Sequence, residues 1–461
     1  MSLHNSFLTG TIIDPPQSPL NPIKPTKIHH VVLVLSAATS MVLYLHRYTW
    51  LVIRPELAKE YGYTNTELEQ IFAFFQVSYT LGQIPAGIIC DFFGARVFLS
   101  AIVFSWSISL VVFAVAGTYF TFCASRLIFG AAQAGAYPSL SNVSRNWFPP
   151  KSRTTMQGFV ASFAGRAGAA VAPIIMATIL MGYFGLGWRT AIIIMAAIGL
   201  ILAVAFYLYY RNDPKSDARV NDDEKALLME DKDPGKSQRK VMSFKQAMKN
   251  HSLVTMVIAQ VSNAGADIVY TTVLGSFFLS KQISIEEMGI YASFPLFGGA
   301  IGGFLGGYLN DFAIRLTGSR KWGRRIMGST GKVIAAGCVF IAIAQTSVFA
   351  LAVGLFVVKF FSDWSQPTVW GTCTDIGGPY SATVFSIVNT AGNFGAFLVP
   401  PFLVGPLLDR YTSTEVVEGV SQTITDYNPM FAVVAGLYVL TALLWLTIDC
   451  TKRIEPETEK E

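Results

Sequence analysis

Gly87-Ile88-Ile89-Cys90-Asp91-Phe92-Phe93-Gly94-Ala95-Arg96 stands between two long apolar runs. At the corresponding place in the second half stands Gly307-Tyr308-Leu309-Asn310-Asp311, followed by Arg320, Arg324 and Arg325. Each gives a Gly, an Asp four residues later, then basic residues. A polar hinge repeated once at long range points to a chain built from two copies of one unit.

Outward from Gly87, apolar runs fall near 31–55, 67–90, 97–116, 119–145, 155–181 and 187–210. A second six fall near 251–280, 285–310, 326–345, 347–372, 380–407 and 430–449. Each is about the 20 residues that cross a bilayer as a helix. Of 461 residues, 52% are hydrophobic and 14% are charged, where soluble domains carry about 25% charged residues. A soluble enzyme is excluded. The 39 Gly and 34 Phe suit closely packed membrane helices, and the short alternating segments of a membrane barrel are missing. The expected fold is therefore an all-α polytopic membrane protein of 12 transmembrane helices in two six-helix bundles.

The stretch 211–250 holds ten Lys or Arg and eight Asp or Glu with no apolar run, and reads as a linker. The expected organisation is a tail at 1–30, a bundle at 31–210, the linker at 211–250, a bundle at 251–449 and a tail at 450–461. With both termini in the cytoplasm, the loops and tails on that side hold 24 of the 34 basic residues, and the opposite side holds five: Arg54, Lys59, Arg189, Lys281 and Arg410. That asymmetry is the positive-inside pattern, and it sets the orientation in a cell membrane, the inner one in a bacterium. The net charge of +5 is explained without nucleic acid. Five scattered cysteines suggest neither a metal motif nor a disulfide framework.

The segment Gly87–Arg96 resembles the loop motif of major facilitator transporters, with Phe92 where the family usually has a basic residue. Arg126-Leu127-Ile128-Phe129-Gly130, Ala136-Tyr137-Pro138, Trp147-Phe148-Pro149 and Asn389-Thr390-Ala391-Gly392-Asn393-Phe394-Gly395 are similar to the anion:cation symporter branch of that family. This branch includes hexuronate, galactonate and glucarate transporters, sialin and vesicular glutamate carriers. The resemblance runs from Thr49 to Leu446. It implies a secondary transporter of small organic anions, sugar acids or related monocarboxylates, working by alternating access. It implies no enzyme activity, no cofactor and no metal, a monomer in the lipid bilayer, and a proton or sodium ion as a coupled partner. Asp91, Arg96 and Asp311 become gating residues.

Charges inside the spans point to the site. A mid-helix Arg costs about 2.5–3.5 kcal/mol on insertion, so it persists where it faces the bundle interior. Arg47 is the expected carboxylate ligand, with Tyr44 one turn before it and Tyr79 on the second span; Arg54 is expected to reach the outer interface. Arg126 and Gln133 share a face of the fourth span, and Asn389 and Asn393 share one of the eleventh, where amides can bond hydroxyls. The branch commonly has Glu at the place of Gln133 and Asp at the place of His46. Coupling would then fall to His46, Asp267 or Asp363, although Lys359 four residues before Asp363 suggests an ion pair within one helix. Arg166, among Gly165, Gly168 and Pro173, reads as a contact in a kinked helix. An organophosphate:phosphate exchanger and a transporter-like anion receptor are the alternatives. The first would favour an Arg on the seventh span, where Gln260 and Asn263 stand; the second would favour a larger cytoplasmic domain.

Overall fold

A computed structural model describes residues 25–149, 152–229, 244–417 and 420–454. Most of both expected tails and the middle of the linker lie outside the described residues. The principal helices are α1 (Ile28–Tyr61), α2 (Asn65–Phe93), α3 (Ala95–Val115), α4 (Tyr119–Ala134, continued by Ala136–Trp147), α5 (Met156–Tyr183) and α6 (Trp188–Tyr209). They are followed by α7 (His251–Thr272, continued by Leu274–Leu279), α8 (Ile285–Thr317), α9 (Arg320–Ile343), α10 (Val348–Gly377), α11 (Thr383–Arg410) and α12 (Asn428–Thr447). Among the described residues, ten of these are long and apolar enough to cross a membrane. The others are α2, which carries Gln76 and Gln83 along its length, and α4, which turns at Gly135. This is a multi-pass membrane protein.

Within the first half α1 packs extensively on α5, α2 on α4 and α3 on α6, and within the second α7 on α11, α8 on α10 and α9 on α12; across the halves α5 packs on α8 and α2 on α11. The second set is the first advanced by six helices, so the repeat seen in sequence is a repeat in packing. Glycines allow the closest approaches. A Cβ at Gly298, Gly302 or Gly306 of α8 would lie 2.2, 2.1 or 2.0 Å from the carbonyl oxygens of Phe356, Phe360 and Trp364 on α10. Gly130 of α4 meets the carbonyl of Phe75 on α2 in the same way, at 2.2 Å.

One group of bonds between the halves lies at the end opposite the termini. The Asp409 carboxylate of α11 accepts the backbone N–H groups of Asn65 (2.8 Å) and Thr66 (3.0 Å) and the Thr66 hydroxyl (2.5 Å) at the start of α2. An anion there also meets the positive end of the helix dipole. Arg54 does not reach the interface as expected: it is 1% exposed, and donates to Glu69 (3.0 Å), Asn65 (2.8 Å) and Ser276 of the other half (2.7 Å). An acid partner one helix away makes burial cheaper than snorkelling. Between α11 and α12, strands β1 (Thr412–Val417) and β2 (Val420–Thr425) form an antiparallel hairpin.

Candidate functional site

A cavity of about 180 Å³ opens between the halves, with Tyr44 and Tyr48 of α1, Arg166 of α5, Asp267 of α7, and Lys359 and Asp363 of α10 in its walls. Arg47 stands beside it. Its Nε and Nη2 donate to the Gln133 Oε1 at 3.3 and 3.2 Å, and its guanidinium carbon lies 5.1, 5.0 and 4.6 Å from the ring centres of Tyr44, Phe75 and Tyr79. Gln133 is buried and anchored in turn, donating to the Leu43 carbonyl at 3.1 Å. Ring faces and one amide oxygen orient the cation without neutralising it, which suits a site that must receive an anion.

The second half supplies a continuous ionic network. The Lys359 Nζ donates to both Asp267 and Asp363 at 2.9 Å. Asp267 also accepts from the Tyr438 hydroxyl (2.7 Å) and from Asn263 (3.2 Å). Lys332, buried on α9, donates to the Ser362 carbonyl and hydroxyl at 2.7 Å each and to the Asn263 amide oxygen. Across the cavity, the Arg166 Nη1 donates to Asp363 and to the Gly299 carbonyl, both at 2.7 Å. The α5 backbone brings it there: wide π-helical turns at Phe159–Ala164 and Ile174–Tyr183 flank the regular turn that carries Arg166.

Tyr44, Asp267 and Asp363 thus line the cavity, and Arg47, Tyr79 and Gln133 form the group beside it. Other expected residues are placed elsewhere. The Arg126 guanidinium is buried 4.6 Å from the Trp50 ring and 4.5 Å from the Phe113 ring, inside the first half. His46 turns to α6, its Nε2 2.7 Å from the Met195 carbonyl, because neighbours on a helix point about 100° apart. Asn389 is exposed; Asn393 is half-buried, with no hydrogen-bond partner on its Nδ2 among the described residues, and neither lines the cavity.

The expected gating residues show local contacts. Asp91 is exposed and accepts from Asn142 at 3.3 Å, while Arg96 donates to the Tyr207 carbonyl at 2.9 Å and does not pair with Asp91. Asp311 is exposed beside Asn310, and Arg324 pairs instead with Asp375 at 2.8 Å. The Asp363–Lys359 pair within α10 is present, but it belongs to a larger set. Arg166, read as a helix contact, is a cavity wall. The signal for this was parity: Arg166, Lys332 and Lys359 had to find partners, and Asp267 and Asp363 were the acids well inside spans. Among the described residues no cluster of His, Cys, Asp and Glu gathers that could hold a metal ion.

The family model described as Major Facilitator Superfamily matches residues 35–400. The chain is 25% identical to a probable sulfoacetate transporter of Cupriavidus necator over 85% of its own length and 90% of the relative's. It is 25% identical to a probable galactarate/D-glucarate transporter of Bacillus subtilis (84% and 87% covered) and 24% identical to a D-galactonate transporter of Escherichia coli (85% and 92%). In structure it is similar to a bacterial homologue of the lysosomal transporter Spinster, with a TM-score of 0.71 at 17% identity over 92% of this chain and 96% of that one.

Proposed function

Because the chain belongs to the Major Facilitator Superfamily, we propose that it is a secondary transporter of small organic anions, sugar acids or related carboxylates, that opens one central cavity to each side of the membrane in turn. It is a transporter and not an enzyme, and the names of its relatives favour organic anions over an organophosphate exchange. The observation that carries the site assignment is Arg47, oriented by Tyr44, Tyr79 and Gln133 with no carboxylate bonded to it among the described residues. A substrate carboxylate would supply the missing charge through a two-bond fork. The two six-helix units, 31–210 and 251–449, would rock about the cavity as bodies joined by the linker 211–250, with both termini in the cytoplasm and the carrier a monomer.

A coupled proton would draw on Asp267 or Asp363, since Gln133 cannot titrate and His46 faces α6. Uptake of labelled D-glucarate and D-galactonate into liposomes tests the assignment. Arg47→Lys is expected to lower uptake at least tenfold while the melting temperature changes little, because an ammonium cannot reproduce the planar fork. Near-normal uptake by Arg47→Lys would remove Arg47 from the site.

A further inference from the structure

Resting on that reading, we propose that the cavity selects dianions, small molecules with an oxyanion at each end, one end held by Arg47 and the other by Arg166. Tyr44 is the neighbour the two cations share. Its ring centre is 5.1 Å from the Arg47 guanidinium carbon. The same ring packs against α5, so closely that a Cβ on Gly165 would lie 2.9 Å from its Cδ2 and Cε2, and it lines one cavity with Arg166. Both cations keep hydrogen-bonding capacity: among the described residues Arg47 is bonded to no carboxylate, and Arg166 engages Asp363 and Gly299 through its Nη1. The Nε and Nη2 of Arg166 are the edge on which a second carboxylate or a sulfonate would sit.

Charge balance leads to the same class. Arg47, Arg166, Lys332 and Lys359 face Asp267 and Asp363 in and around the cavity, four cations against two acids. In a low-dielectric interior an uncompensated charge is costly, so the occupied state is most stable with two negative charges added. A monoanion leaves one cation unmatched. A dianion matches both, and its second end competes with Asp363 for Arg166, loosening the bond that joins α5 to α10.

The test uses purified full-length protein and probes paired by backbone: D-glucarate against D-gluconate, L-tartrate against L-threonate, and sulfoacetate against glycolate. Binding is read by thermal stabilisation, and transport by competition for liposome uptake. At least one dianion is expected to bind about tenfold or more tightly than its monoanionic partner, the gain of one charge-assisted contact. Glucarate or tartrate preferred over sulfoacetate identifies a second carboxylate, and the reverse order a sulfonate. Arg166→Gln should bring the dianion-to-monoanion ratio close to one while monoanion affinity changes less than about threefold, with Arg166→Lys in between. Equal affinity for each pair in the wild type overturns the inference and leaves organic anion transport standing. A ratio unmoved by Arg166→Gln in a folded variant removes Arg166 from the second site. Failure to bind any of the six probes overturns both this inference and the function beneath it.

Discussion

Gln133 sets the electrostatic state of the Arg47 group. Its amide oxygen lies 3.2–3.3 Å from the guanidinium, so Gln133→Glu would place a carboxylate where the substrate's charge belongs. The variant is expected to gain a pH dependence that the wild type lacks at this position. At high pH the ionised Glu holds Arg47 and slows uptake; as pH falls and the carboxyl protonates, Arg47 is released and uptake recovers. Initial uptake rates from about pH 5 to 8 check this, and a profile parallel to wild type would count against it. The neighbourhood of Arg47 and Tyr44 was legible in sequence because helical spacing and the cost of a buried cation both act locally, whereas Gln133, grouped by spacing with Arg126, bonds Arg47 instead. Arg126 was subject to the same cost, yet its relief comes from Trp50 and Phe113 on helices that no spacing rule connects. The opposite failing hid Arg166, whose position among glycines suggested packing until the cross-cavity bond to Asp363 was seen.

The α8–α10 seam shows which glycines matter as parts of an element. Gly302 and Gly307 look alike in sequence, but a Cβ at Gly302 meets the Phe360 oxygen at 2.1 Å, and one at Gly307 meets nothing within 4 Å. Gly302→Ala is expected to cost about 1–3 kcal/mol through overpacking. Gly307→Ala should be neutral or slightly stabilising; thermal melts in detergent separate the two. The apolar runs located the helices because a bilayer demands about 20 apolar residues of each. They could not show the break in α4 at Gly135, where a Cβ would meet the Phe98 ring at 2.7 Å, since that contact comes from α3.

A short helix, Asp222–Met229, illustrates anchoring of the linker. Its buried Glu224 accepts from the His29 backbone N–H (2.8 Å), sits 2.7 Å from the His29 Nδ1, and bonds the Thr26 hydroxyl at the start of α1. Burial opposes its charge, but the bonds from Thr26 and His29 outweigh this and hold its carboxyl below the usual range. A depressed carboxyl stabilises above its unfolded value and loses that contribution as pH falls through the folded one. Docking should therefore be intact at pH 7 and still largely intact at pH 5. Glu224→Gln should raise hydrogen exchange in 222–229 several-fold at both values.

At the scale of the whole molecule, one group of bonds between the halves holds the end opposite the termini closed. Asp409 is the centre of that closure, since one carboxylate receives two backbone N–H groups and a hydroxyl from α2. Hydrogen bonds to a charged group are worth about 1.5–3 kcal/mol, so Asp409→Asn is expected to shift the balance toward opening at that end by about tenfold or more. Labelling of Leu274→Cys, buried there in the wild type, by a membrane-impermeant thiol reagent should rise accordingly in a background without the native cysteines. Unchanged labelling would place the closure elsewhere. The two-unit repeat was legible from the paired Gly–Asp hinges, but this closure was not. It depends on Arg54, which the charge-asymmetry rule only counts on the outer side, and on Asp409, an acid that the rule does not count.

The surplus of cations around the cavity also has an electrical side. A carrier that holds two extra positive charges when empty and none when filled by a dianion would cross its filled transition almost without feeling the membrane voltage, whereas its return when empty would feel it fully. Moving two charges through the whole field is worth up to about 4.6 kcal/mol per 100 mV. An inside-negative potential would then favour the empty cavity facing the cytoplasm, so the energised membrane itself would act as a brake on one limb of the cycle.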